Sequence, residues 1–244
     1  MKPEVYFEAG MQTGEGPVWD WRCGILYCVD STNPGLWLFE PARSRTARHA
    51  LPERVGFAAL TEDPGRLVLG LKSGLYGYEL VSRRLDLIVA PEQDRPGNRI
   101  NDGVADLDGG LIFGTLDDEL TRPSGAAYKL FPDGRLVRFD DGYVVFNGPF
   151  PAADGRRIYA VDSEARKVHV FDRDADGVPK GRRPFTDWSA EWGVPDGLVA
   201  DADGDVWIAH WDGAALSRFS PGGELRSSIG FPVSRVTKPA FGGE

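Results

Sequence analysis

Residues 194–210, VPDGLVADADGDVWIAH, run from one apolar stretch through the short turn DADGD into a second apolar stretch, and their reading decides the fold. Asp and Gly at a tight reversal between two β-rich segments make a hairpin. The second strand, DVWIAH, has counterparts in ILYCVD, RLVLGL, GLIFGT and RIYAVD. The second residues of the five stretches are Leu26, Leu67, Leu111, Ile158 and Val206, spaced by 41, 44, 47 and 48 positions. Each is followed by an alternating partner: LWLFE from Leu36, LYGYE from Leu75, AYKLF from Ala127, KVHVFD from Lys167 and ALSRFS from Ala215. FPDGRL and SPGGEL repeat the turn chemistry. A unit of this length holding about four short strands is the mark of a propeller blade. No segment carries a convincing helical period, so an all-β chain is expected.

The same repeat singles out the start of the innermost strand of each blade. Glu15, Gly56, Asn101, Asn147, Asp196 and Pro239 stand there, spaced by 41, 45, 46, 49 and 43 positions. Innermost strands of a propeller line a central channel, so equivalent residues of different blades meet around one axis. Glu15, Asn101, Asn147 and Asp196 would bring hard oxygen donors there, suited to calcium, magnesium or manganese, with zinc also accepting carboxylate. Asn and Asp beside Gly also serve simply as turn formers, and that plainer reading stays open at this point.

Composition narrows the function classes. The 244 residues are 41% hydrophobic and 27% charged, as in ordinary globular domains, and one domain over 1–244 is expected. A net charge of -9 opposes phosphate backbones and anionic lipid surfaces, which makes nucleic acid and membranes poor partners. The first residues, MKPEVYFEAG, hold no basic stretch leading into an apolar run, and a cytoplasmic location is expected. Cys23 and Cys28 are too few for a disulfide framework, and His49, His169 and His210 are scattered without zinc spacing. DRDADG, 172–177, imitates the start of a calcium loop but has Arg183 where a bidentate carboxylate is needed. A serine elbow of the GxSxG type and a glycine-rich phosphate loop are both absent. Of the tryptophans, Trp188, Trp192 and Trp211 are candidates to rim the channel mouth.

GEGPVW (14–19), NRINDGVADLDGGLIFGT (98–115), NGP (147–149), VPDGLVADADGDVWIA (194–209) and VTKPAFGG (236–243), in that order, resemble the gluconolactonase and regucalcin (senescence marker protein) family. The ending looks most like that of bacterial aldonolactonases such as xylonolactonases. The resemblance implies a six-bladed propeller of four-stranded antiparallel blades that hydrolyses a sugar lactone with one divalent cation, whether calcium, zinc, magnesium, manganese or iron. It places metal ligands at Glu15, Asn147 and Asp196, with Asp196 also catalytic. Substrate contacts fall on Arg99 and Asn101, and on Glu119 in the run DDE beside Asp117 and Asp118. Another metal-dependent ester hydrolase, organophosphates included, and a calcium-binding propeller without catalysis would use the same residues.

One feature departs from that pattern. Five units are complete, whereas the sixth innermost strand is expected to begin near Lys238, only a few residues before Glu244. Val5 to Ala9 is expected to add an outer strand to this incomplete blade, whose open edges would favour self-association.

Overall fold

The computed structural model describes residues 3–243. Its strands form five antiparallel sheets, each a four-stranded meander in chain order. The first blade comprises β1 Gly14–Asp20, β2 Ile25–Asp30, β3 Gly35–Glu40 and β4 Arg45–Ala50. The second comprises β5 Val55–Leu60, β6 Arg66–Leu71, β7 Gly74–Glu79 and β8 Leu85–Val89. The third comprises β9 Asn98–Ala105, β10 Leu111–Asp117, β11 Gly125–Leu130 and β12 Leu136–Tyr143. The fourth comprises β13 Phe146–Pro151, β14 Arg157–Asp162, β15 Lys167–Arg173 and β16 Pro179–Thr186. The fifth comprises β17 Val194–Ala200, β18 Val206–Trp211, β19 Ala215–Phe219 and β20 Leu225–Gly230.

Blades meet face to face, and four apolar cores fill the spaces between successive blades. Tyr27, Val29 and Leu36 of the first blade pack on Val55, Leu67 and Leu69 of the second. Tyr159 and Val168 of the fourth pack on Leu198, Ile208 and Phe219 of the fifth. The third and fourth blades are also clamped by charge: fully buried Lys129 pairs with Asp106, which Arg173 of β15 also grips. The innermost strands lie side by side in the order β1, β5, β9, β13, β17.

The expected six blades are not found: among the described residues the propeller has five. Residues 231–243, where the sixth innermost strand was expected, contain no strand, and neither do residues 3–12. A strand persists only where a neighbour satisfies its backbone groups. The tail finds isolated anchors instead of a ladder. Gly197 N–H donates to the Thr237 carbonyl at 2.7 Å, and the Thr237 hydroxyl donates to the Gly14 carbonyl at 2.8 Å. Trp19 Nε1 donates to the Gly243 carbonyl at 3.1 Å. The tail therefore bridges β17 of the fifth blade to β1 of the first, where a further blade was expected. Val5 to Ala9 pairs with no sheet, and Phe7 stacks on Phe39 with ring centroids 4.3 Å apart.

Among the described residues no helix is long and apolar enough to cross a membrane.

Candidate functional site

The pairing register of every blade slips near the start of its innermost strand. The breaks lie between Glu15 and Val18, Val55 and Phe57, Asn147 and Phe150, and Pro195 and Leu198; in the third blade β9 slips where β10 passes from Gly114 to Thr115. A bulge leaves a residue outside the ladder and re-aims its side chain. Here it turns Glu15, Asn101, Asn147 and Asp196 toward one cavity of about 290 Å³ at the end of the channel. Gly16 and Gly148, which follow two of these residues, hold φ of 51° and 54°, a left-handed backbone that glycine adopts without strain.

Three of these side chains, Asn101, Asn147 and Asp196, are linked in a chain that begins at Arg99. Arg99 donates to Asn101 Oδ1 at 2.8 Å, Asn101 Nδ2 donates to Asn147 Oδ1 at 2.9 Å, and Asn147 Nδ2 donates to Asp196 Oδ1 at 2.5 Å. Asn147 Nδ2 also donates to the Ser163 hydroxyl at 3.0 Å. Arg99 is held from behind by Asp118, 3.0 Å from its Nε, and Asp118 is in turn pinned by Arg54 at 2.6 Å and Lys72 at 3.0 Å. Leu116, Leu120, Val145, Val194 and Trp211 supply apolar wall.

Charge is crowded in this space. Burial first, then repulsion from Asp102, pushes the Glu15 carboxyl up to about 8, against the pull of Lys238. Burial, followed by repulsion from Glu15 and Asp102, likewise raises Asp196 well above the usual carboxylate range. Glu15 keeps part of its surface open to the channel, so the protein around it, rather than full enclosure, is what strips its water. Two carboxylates destabilised by one another, with an amide between their strands, form a hard donor set that a divalent cation would relieve. Among the described residues no group of three or more His, Cys, Asp or Glu comes together at metal-binding range, so a cation here would take an amide as its third protein donor and keep other positions open. Asn147 can offer either end of its amide by a half-turn of its side chain.

Glu15, Asn101, Asn147, Asp196 and Arg99 all line the cavity, whereas Glu119 is exposed and lies outside its wall. Asp118, its neighbour in the acidic run, makes the contact with Arg99. Trp211 rims the cavity as expected of a candidate, but Trp188 and Trp192 pack against His210 and Phe219 instead. Sequence reasoning overlooked Lys238, which reaches Asp102 beside the channel; its only signal was a place next to the sixth repeat position.

A sequence profile described as SMP-30/Gluconolactonase/LRE-like region matches residues 13–244. The chain belongs to this family. It is 33% identical over 234 residues to an L-arabinolactonase of Azospirillum brasilense, covering 95% of the chain and 78% of that protein. It is 28% identical over 250 residues to regucalcin of Xenopus laevis, covering 100% of the chain and 83% of the relative. Among solved structures, a calcium-binding regucalcin from Agrobacterium tumefaciens superposes with a TM-score of 0.90 at 28% identity, over 96% of this chain and 79% of that one. A gluconolactonase from Xanthomonas campestris, at 22% identity and a TM-score of 0.81, covers 95% of this chain and 80% of its own, and shows the shared fold alone.

Proposed function

We propose that this chain hydrolyses a sugar lactone to the corresponding aldonic acid, using one divalent cation held by Glu15, Asn147 and Asp196. As a member of its family the chain is a hydrolase of carboxylic ester bonds, and a lactone is a cyclic ester. The observation that carries the reading is the set of inner-strand bulges that aims two mutually repelling carboxylates and an amide into one cavity.

A cation held there by Glu15, Asn147 and Asp196 would supply Lewis acidity for the lactone carbonyl and would lower the pKa of nearby water. The chain's own residues do the rest. Asp196 accepts the proton of the attacking water as its oxygen bonds to the carbonyl carbon. When the ring carbon–oxygen bond breaks, the same proton passes to the departing ring oxygen, which becomes a hydroxyl. Arg99 and Asn101, already hydrogen-bonded to each other, orient the sugar hydroxyls. Trp211, Leu116 and Val145 offer an apolar surface to the face of the sugar ring.

The test is proton release in weak buffer from arabinono-, xylono-, glucono- and galactonolactone. Chelated protein is resupplied with calcium, magnesium, manganese, iron or zinc, beside an Asp196→Ala control. Hydrolysis restored by a cation and lost in the variant supports the reading. Cation binding with no lactone hydrolysed, or hydrolysis undiminished in the variant, sinks it.

A further inference from the structure

Lys238 belongs to no strand, yet its ammonium reaches the inner strands, where Nζ lies 2.6 Å from Asp102 Oδ1. Both side chains are almost withdrawn from solvent, at 7% and 4% exposure. Gly103 N–H donates to the same Asp102 oxygen at 2.7 Å, and Gly148 N–H, next to Asn147, donates to the other at 2.8 Å. Thr237 repeats this pattern one residue earlier. Its carbonyl receives Gly197 N–H, next to Asp196, and its hydroxyl donates to the carbonyl of Gly14, next to Glu15. Two consecutive tail residues thus fasten, directly or through Asp102, the immediate neighbour of each proposed cation ligand. The stem of Lys238 lies against Gly197 so closely that a Cβ there would stand 2.5 Å from Lys238 Cγ.

The charges add a second argument. Glu15, Asp102 and Asp196 place three carboxylates around the channel, and each of Glu15 and Asp196 feels both Asp102 and Lys238. With a cation bound and all three ionised they sum to -3, and Lys238 makes the total -2; Arg99, which also bears on Glu15, is already paired with Asp118. One divalent cation then leaves the cluster neutral. A buried lysine that cancels one of three carboxylates decides how strongly the remaining two hold a cation, and how much of that cation's pull is left for a carbonyl.

We propose that Lys238, held against Asp102 by the anchored tail, sets the charge of this site for a single divalent cation. The proposal rests on the cation reading above. Its signature is a pair of opposite changes. In Lys238→Met the cation faces an uncompensated Asp102, so its affinity rises roughly tenfold or more while kcat falls. A tail residue that only braced the inner strands would, on removal, loosen the ligands and weaken binding.

Isothermal titration of chelated protein with manganese or calcium separates these outcomes. Wild type, Lys238→Met, Lys238→Arg and the double variant Asp102→Asn with Lys238→Met are compared, and kcat is measured in parallel. The expected result is tighter binding with lower kcat in Lys238→Met, wild-type affinity in Lys238→Arg, and return toward wild-type affinity in the double variant, whose cluster again carries -2. Should Lys238→Met fail to fold, the other two variants decide: affinity in both close to wild type supports the proposal, and a large loss in either overturns it. Unchanged or weaker binding in a folded Lys238→Met overturns it while leaving the cation reading intact. Wild-type protein that binds no divalent cation overturns both.

Discussion

Without a cation, the crowding of carboxylates around Glu15 is a cost to the fold, and replacing this residue with glutamine measures it. The Glu15 carboxyl is raised from an ordinary 4.5 to about 8 by burial and by Asp102. The folded chain therefore holds a proton more tightly than the unfolded chain does, and between those two values the native state binds more protons. Stability must fall as pH rises through this window. At about 1.4 kcal/mol per pH unit, the loss between pH 5 and 7.5 is on the order of 3 kcal/mol. For a domain of this size that is roughly 6–12 °C in Tm.

His169 and His210, each lowered to about 4 by burial, act in the opposite sense. Their folded forms bind fewer protons than the unfolded chain between about 4 and 6.5, so they add stability as pH rises there. The useful quantity is therefore the difference between wild type and Glu15→Gln, in which the histidines cancel. Thermal melts of the two chelated proteins at pH 5 and 7.5 should show Glu15→Gln gaining on wild type by about that margin. A saturating divalent cation should remove most of the gap by stabilising wild type. Parallel melting of the two chelated proteins across this range would refute the reasoning, since Glu15 would then not be desolvated as the structure requires.

Asp196→Asn should abolish lactone hydrolysis, leave the fold intact by circular dichroism and weaken cation binding at least tenfold in titration calorimetry, because it removes both a charged donor and the proton acceptor. Asp118→Asn should raise KM several-fold with a smaller effect on kcat, because it frees Arg99 from its anchor at 3.0 Å without touching the donors of the cation; steady-state kinetics with a fully hydroxylated lactone would show the split. Glu119→Gln, by contrast, should leave both constants within about twofold, as expected of an exposed side chain outside the cavity wall. Gly56→Ala should lower Tm by several degrees, since the new Cβ would sit 2.0 Å from the Asn101 carbonyl oxygen and push apart the inner strands of the second and third blades; a loss of about 1–3 kcal/mol is expected in denaturant melts.

Local chemistry was enough to read much of this protein from its sequence. Apolar stretches alternating with Asp-Gly turns set the strands of five blades, and the regular interval between them put Glu15, Asn101, Asn147 and Asp196 in one phase. A repeat preserves phase however the ring closes, so these four could be grouped before any distance was known. Closure itself is a long-range matter. Whether residues after Gly230 form another inner strand depends on partners for their backbone, and only the tertiary structure shows Thr237 and Lys238 anchored singly to Gly14, Gly197 and Asp102 instead. The choice between Asp118 and Glu119 was equally beyond the sequence. Neighbours at the end of a strand point in different directions, and the backbone between Asp117 and Leu120 decides which carboxylate faces Arg99. Burial decided the rest, because a carboxylate's proton affinity follows from the water and charges around it, which Glu15 and Asp196 acquire only when strands far apart in the chain meet at one axis.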